Sequence, residues 1–337
     1  MEMKNRLKKI FEVLDGLTEL LILPHNDPDP DAIASAVALQ YLVREKLGIR
    51  ARIAYRGIIG RSENKALVRY LEYPLEKLDP KEFDRHIPIA LVDTQPGVGN
   101  NPLKDKNSAT IVIDHHTYRE TSGEVGFADV RPEIGATATI LTEYIQATGL
   151  DFPGYLSTAL FYGIKTDTMG LGRGASAEDV AAYLFLQPRV DVEALSQIER
   201  AQVPKSYFKS LTSALQATKV YDQDLVISNL GVMQYPDLGA EIGDLLLRLQ
   251  GVVWVICLGI YKEDLILSVR SRSRQVGAGD IARRVIGNLG TAGGHGTMAG
   301  GQIRIRKLDP DQLTDQIIRE ALEYLKGDRS LTGKLLT

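Results

Sequence analysis

From its start to about residue 190 the chain alternates short apolar, β-branched runs with stretches of helical periodicity, and this alternation leaves it few folds. The apolar runs are 20–23, 50–55, 87–92 and 110–113, and helical patterns cover 31–47, 136–148, 155–165 and 177–185. Such runs read as strands covered on both faces, the condition of a parallel sheet whose crossovers are helices. Residues 1–190 are therefore predicted to form a parallel-sheet α/β domain. Residues 191–221 look helical, with a break at Pro204, and serve as a helical connector. A second alternation over 222–330 predicts a smaller α/β domain: strands 225–230, 252–260, 264–269 and 302–305, helices 240–249, 280–288 and 309–325, and a glycine-rich turn between. Two cores suit 337 residues at about 150 residues per domain.

A composition of 44% hydrophobic and 25% charged residues excludes a disordered chain. The net charge of -3 removes any bulk positive field for duplex DNA or an anionic membrane, so a nucleic-acid ligand would have to be held locally. A single cysteine, Cys257, excludes a disulfide framework and a thiolate zinc site. The stretch 10–24 is broken by Glu12, Asp15 and Glu19 and makes neither a signal segment nor a membrane span. A cytoplasmic, reducing environment is the expectation.

Four of the five histidines stand beside carboxylates or glycines at predicted strand ends. His25 opens the run His25-Asn26-Asp27-Pro28-Asp29-Pro30-Asp31, placed where open α/β sheets bind ligands. Three carboxylates within five residues repel one another unless a cation sits among them. The same run also starts a helix, with Asp29 as N-cap and Pro30 at the first helical position. An EF-hand loop beginning at Asp27 is excluded, since its sixth and twelfth positions are Ala32 and Ala38. Asp93 follows the third strand, and Asp114-His115-His116 follows the fourth. Neighbouring side chains on an extended segment point to opposite sides, so one of the two histidines should ligate and the other face something else. Asp167 ends an apolar helix, where the negative helix terminus disfavours a carboxylate and a nearby cation would explain it. Two imidazoles and four carboxylates suit a pair of divalent ions of the Mn²⁺, Mg²⁺ or Co²⁺ kind, and two such ions can drive phosphoester hydrolysis.

In order, His25, Asp29 and Asp31, then Asp93, then Asp114-His115-His116, then Asp167 resemble the four motifs of the DHH phosphoesterase superfamily. Gly293-Gly294-His295 resembles the signature of its associated C-terminal domain, and the whole is most similar to the nanoRNase/pAp phosphatase, RecJ-like branch. The resemblance implies that His25, Asp29 and Asp93 hold one metal ion and that Asp31, Asp93, His115 and Asp167 hold the other, Mn²⁺ foremost. It implies that Asp114 orients a histidine and that His116 faces the scissile phosphate. Arg270, Ser271, Gly293, Gly294 and His295 would bind the substrate in a cleft between the domains. The implied substrates are short RNA or single-stranded DNA, pAp, or linear and cyclic dinucleotides. A manganese inorganic pyrophosphatase or exopolyphosphatase is the alternative, and a non-hydrolytic nucleotide sensor a remoter one. The preferred substrate and the oligomeric state, a homodimer included, are left open.

Read without the resemblance, Arg270, Arg272 and Arg274 recur every second residue and would share one face of an extended segment. The glycines at 293–296 would form a turn whose backbone amides can approach an anion. Gly135-Ala136-Thr137-Ala138-Thr139 reads as a helix cap, with its hydroxyls lining the cleft as the alternative.

Overall fold

A computed structural model describes residues 2–85, 87–103, 109–118, 125–273, 275–305 and 308–337. His86 and Arg274 lie outside the described residues, as does the side chain of His295. The chain divides into two units, Met1–Ala201 and Gln202–Thr337.

The first unit begins with α1 (Glu2–Leu14) and β1 (Glu19–Pro24), followed by α2 (Pro30–Leu47), β2 (Arg50–Tyr55), α3 (Ser62–Tyr70) and β3 (Leu75–Lys77). It continues through β4 (Ile89–Val92), β5 (Ala109–Asp114) and β6 (Phe127–Val130) into the helices α4 (Thr137–Thr148), α5 (Gly154–Asp167), α6 (Ala177–Leu186) and α7 (Val192–Glu199). The strands form one parallel sheet in the order β3-β2-β1-β4-β5-β6. Its central strands are buried along their length, which is why their sequences are continuous apolar runs. On α2, Ala32, Ala34, Ala36 and Ala38 are fully buried, small side chains that let α4 and α5 pack closely on it.

The parallel-sheet α/β architecture expected of this region is observed. Of the expected strands, 87–92 is shorter, starting at Ile89. The elements α1, α3, β3 and β6 were not foreseen; β3 and β6 are only three and four residues long, and α1 and α3 carry many charged residues. The stretch read as a connector is shared between the units. Helix α7 belongs to the first, α8 (Lys205–Ala217) to the second, and Thr218–Tyr221 is a strand, β7.

The second unit adds β8 (Leu225–Val232), α9 (Leu238–Leu246), β9 (Trp254–Tyr261), β10 (Asp264–Ser271), α10 (Ala278–Ile286), β11 (Thr291–His295), β12 (Met298–Arg304), α11 (Pro310–Lys326) and β13 (Lys334–Leu335). Its mixed sheet runs β11-β12-β10-β9-β8-β7-β13, and only β8 and β9 are parallel neighbours. Cys257 is buried in the middle of β9, as a small hydrophobe would be. Among the described residues no helix is long and apolar enough to cross a membrane.

An ion network fixes the outer edge of the first sheet beside the end of β5. Asp129 of β6 lies opposite Ile113 and is fully buried. Its carboxylate accepts from Arg131 Nη2 at 2.8 Å, from Tyr144 Oη and from Arg6. The Arg131 backbone N–H in turn donates to the Asp114 carbonyl at 2.9 Å. Asp129→Ala would leave Arg131 buried without its main counter-charge, at a cost of about 3 kcal/mol. A urea transition of the first unit unchanged from that of the unaltered protein would contradict this account.

Candidate metal centre

Four element ends converge. Beyond β1 the chain passes His25 and reaches Asp29, whose backbone is extended and whose carboxylate accepts the Ala32 N–H at 3.0 Å, the N-cap expected of it. Asp93 follows β4 directly with φ of +60°, a left-handed conformation that costs an L-residue on the order of 1 kcal/mol. It is buried, and its N–H is held by the Ile113 carbonyl at 2.9 Å. His115 and His116 follow the last residue of β5, and Asp167 is the last residue of α5.

His25 Nε2 lies 3.4 Å from Asp93 Oδ2 and 3.7 Å from Asp29 Oδ1. His115 Nε2 lies 3.4 Å from Asp167 Oδ2, 3.5 Å from Asp93 Oδ1 and 4.0 Å from Asp31 Oδ2. Asp93 thus turns one oxygen to each histidine. In both rings the other nitrogen meets a backbone carbonyl, Asn26 for His25 at 2.7 Å and Ile134 for His115 at 3.2 Å. A carbonyl only accepts, so Nδ1 carries the proton and Nε2 faces the carboxylates.

The donor set passes a direct test for a divalent cation. His115 Nε2 is buried and has no hydrogen-bond partner among the described residues, although three carboxylates surround it. A buried polar atom left so is costly, and a lone pair facing carboxylate oxygens is repulsive unless a cation lies between them. Ligands about 2.1 Å from one ion lie at most about 4.2 Å apart, and the separations above fall within that reach. His25, Asp29 and Asp93 form one such group, and Asp31, His115 and Asp167 another.

The ionisable groups of the cluster show the same crowding. Burial, then the charges of neighbouring carboxylates, hold Asp31 and Asp167 well above the usual carboxylate range. Burial disfavours a charged His25, but hydrogen bonds to Asp29 and Asp93 outweigh it and raise its pKa well above the ordinary value. Burial likewise works against an ionised Asp29, yet its bond to His25 prevails and holds it far below the usual range.

Asp114 Oδ1 lies 2.8 Å from His116 Nδ1, and its Oδ2 accepts Gln95 Nε2 at 2.6 Å. Burial opposes a charge on His116, but the Asp114 bond and the charge of Asp93 raise its pKa to about 9. His115 and His116 do not point to opposite sides as expected. Their ring centroids are 4.4 Å apart, because β5 ends at Asp114 and the chain bends at His116. Asp27 accepts the Ile58 N–H at 2.6 Å.

Thr137, read first as part of a helix cap, supports the site, in line with the alternative reading of its hydroxyl. Its N–H and that of Ala138 donate to the two oxygens of Asp31, each at 2.7 Å, and its hydroxyl donates to Asp93 Oδ1 at 2.8 Å. One signal was in the sequence: Ala136, at the N-cap of α4, has no side-chain acceptor, so the first amides of that helix need one from elsewhere.

In the second unit, Arg270 is buried in β10 and its Nε donates to Asp244 Oδ1 at 2.6 Å. Arg270 and Arg272 do not share a strand face, because β10 stops at Ser271; Arg272 lies past its end, with Nε on the Leu247 carbonyl at 3.1 Å. The Ser271 hydroxyl accepts the Ser273 N–H at 2.8 Å. The expected glycine turn is also corrected. Gly293 and Gly294 belong to β11, and the turn is at 296–297. A Cβ on Gly294 would stand 2.4 Å from Ala299 Cα, so close pairing with β12 requires the glycine.

A parallel α/β domain with carboxylates and imidazoles gathered at the carboxyl ends of its central strands defines a divalent-cation site of the kind used on phosphates. Residues 19–164 match the DHH family, N-terminal domain. The chain is 33% identical over 306 residues to an uncharacterised protein of Methanocaldococcus jannaschii, an alignment covering 90% of this chain and 62% of that one. It is 27% identical over 336 residues to a bifunctional oligoribonuclease and PAP phosphatase of Thermus thermophilus, covering 95% and 94%. A probable manganese-dependent inorganic pyrophosphatase of Brevibacillus brevis is 30% identical over 166 residues, covering 48% and 52%. The crystal structure of an exopolyphosphatase-related protein from Bacteroides fragilis shares the fold, with a TM-score of 0.76 at 17% identity and coverage of 95% and 96%.

Asp29 serves as cap and candidate ligand at once, and one substitution separates the two. Serine caps as well as aspartate, whereas alanine forfeits about 1 kcal/mol. Asp29→Ser is expected to keep the melting temperature and weaken Mn²⁺ uptake by calorimetric titration; wild-type uptake by Asp29→Ser would leave Asp29 a cap alone.

Proposed function

We propose that the protein is a metal-dependent phosphoesterase acting on small nucleotide substrates: short oligoribonucleotides, pAp, or linear and cyclic dinucleotides. The observation that carries the reading is the buried, unpartnered His115 Nε2 facing Asp31, Asp93 and Asp167. His25, Asp29 and Asp93 would hold one ion and Asp31, Asp93, His115 and Asp167 the second, with Mn²⁺ favoured by the imidazole content and by the manganese-dependent relatives. Bound there, two divalent cations would supply an activated water and neutralise charge on the phosphoryl oxygens.

The chain's own residues do the positioning. Asp93 presents its two oxygens in opposite directions because its backbone is held left-handed at the strand end. Asp114 engages His116 Nδ1, so Nε2 is the nitrogen through which His116 would stabilise or protonate a departing oxygen. Its side chain is 40% exposed, within reach of a substrate, as is that of Asp29 at 42%, while Asp31, Asp93 and His115 are buried.

The choice of substrate rests on coverage. The Thermus thermophilus relative aligns along both units, whereas the pyrophosphatase alignment spans about half of the chain. In the second unit Arg270, Ser271, Gly293, Gly294 and His295 are the proposed substrate-binding residues. Arg270 would act with its orientation fixed by Asp244, a pre-organised fork for a phosphate. Pyrophosphate hydrolysis is the second reading, favoured by the Brevibacillus brevis relative and by the same metal chemistry.

With Mn²⁺, turnover of pAp and short oligoribonucleotides should exceed that of pyrophosphate and vanish with chelator; the reverse order would establish the second reading. His116→Ala is expected to keep Mn²⁺ uptake and lose about 100-fold or more of turnover, a usual scale for a lost proton donor. Asp93→Ala should take up no metal. Equal turnover of His116→Ala and the unaltered enzyme would remove His116 from the mechanism.

A further inference from the structure

One short segment supports three of the candidate ligands. Between Ile134 and Ala138 the backbone carbonyl of Ile134 meets His115 Nδ1, the amides of Thr137 and Ala138 bind Asp31, and the Thr137 hydroxyl binds Asp93. Local support is slight: the Ile134 N–H donates to the Arg131 carbonyl at 3.1 Å, and Ala136, the N-cap residue of α4, has no side chain able to cap.

Asp179 holds it. This carboxylate, fully buried in the first turn of α6, accepts the Gly135 N–H at 2.7 Å with Oδ2 and the Thr139 hydroxyl at 2.5 Å with Oδ1. Its own helix start supplies the remaining bonds, from the Ser176 N–H and hydroxyl to Oδ2, both at 2.7 Å. The fit is close, for a Cβ on Gly135 would stand 2.9 Å from Asp179 Oδ2. A capping box normally spends its acid on its own helix. Here the same acid grips both sides of a segment about forty residues earlier in the chain.

We infer that Asp179, through Gly135 and Thr139, is the positioning residue of the metal centre, setting the Ile134–Ala138 segment and with it the orientation of His115, Asp31 and Asp93. Asp179 touches neither metal nor substrate. The inference rests on the metal-centre reading above. Ligand orientation set by outer partners governs metal affinity, typically by 10- to 100-fold.

Mn²⁺ alone is the probe. Its affinity is measured by calorimetric titration and its coordination by electron paramagnetic resonance, alongside the melting temperature of the metal-free protein, for the unaltered chain and for Thr139→Val, Thr139→Ser, Asp179→Asn and Asp31→Ala. Thr139→Val removes one hydroxyl bond with little change of shape. It should bind Mn²⁺ about 10-fold more weakly, with an altered resonance spectrum and a near-normal melting temperature. Thr139→Ser should restore both. Asp179→Asn should weaken binding at least as much; if it fails to fold, Thr139→Val and Thr139→Ser decide. Wild-type affinity and spectrum in Thr139→Val, with binding lost in Asp31→Ala, would overturn the inference and leave the metal centre standing. An unaltered protein that takes up no Mn²⁺ would overturn both.

Discussion

In a parallel sheet every strand ends on the same edge, so residues that follow β1, β4 and β5 become neighbours however far apart they stand in the chain. Here those residues are His25, Asp93 and the pair His115 and His116, and α2 and α5 add Asp31 and Asp167 to the same edge. Collecting carboxylates there is electrostatically unfavourable, because each is buried against like charge. The fold tolerates the crowding through fixed dipoles. The amides at the start of α4 meet Asp31, a hydroxyl meets Asp93, and two backbone carbonyls fix the tautomers of the histidines. Each device lowers the cost of assembling the cluster without satisfying His115 Nε2.

What could be read from the sequence follows from how local the causes are. Strands β1, β4 and β5 announce themselves because burial on both faces demands a nearly continuous apolar run, whereas β2 is buried only at Ile53 and Ala54 and carries Arg50 and Arg52. The six candidate ligands were legible because each stands at the end of such an element. Asp29 satisfies capping rules and stands beside His25 as well, so a local rule and a functional one coincide in a single side chain.

The rest was settled by contacts distant in sequence. Thr137 belongs to the centre because Asp31, about a hundred residues earlier, caps its helix. The bend after Asp114 depends on Gln95, which donates to the Asp114 carboxylate and to the Thr117 carbonyl at 3.2 Å, and nothing in the local sequence marks it. The glycines at 293 and 294 were read as a turn because glycine most often serves turns. Their reason lies across the sheet in Ala299, whose backbone leaves no space for a Cβ at 294. Arg270 similarly read as one of a row of arginines on one strand face, and only the placement of Asp244 on α9 shows it to be held.

Asp93 joins these lines of reasoning. A residue after a buried strand would ordinarily continue extended or enter a turn through glycine, and glycine would relieve the left-handed backbone at that position. Aspartate there retains about 1 kcal/mol of strain. What the strain provides is direction: with the backbone turned at the strand end, one carboxylate oxygen faces His25 and the other faces His115. A carboxylate on a relaxed, extended residue would follow the pleat and lean to one face of the sheet. The strained backbone is thus the local condition for one side chain to serve two groups of ligands, and the Ile113 carbonyl and the Thr137 hydroxyl hold it there.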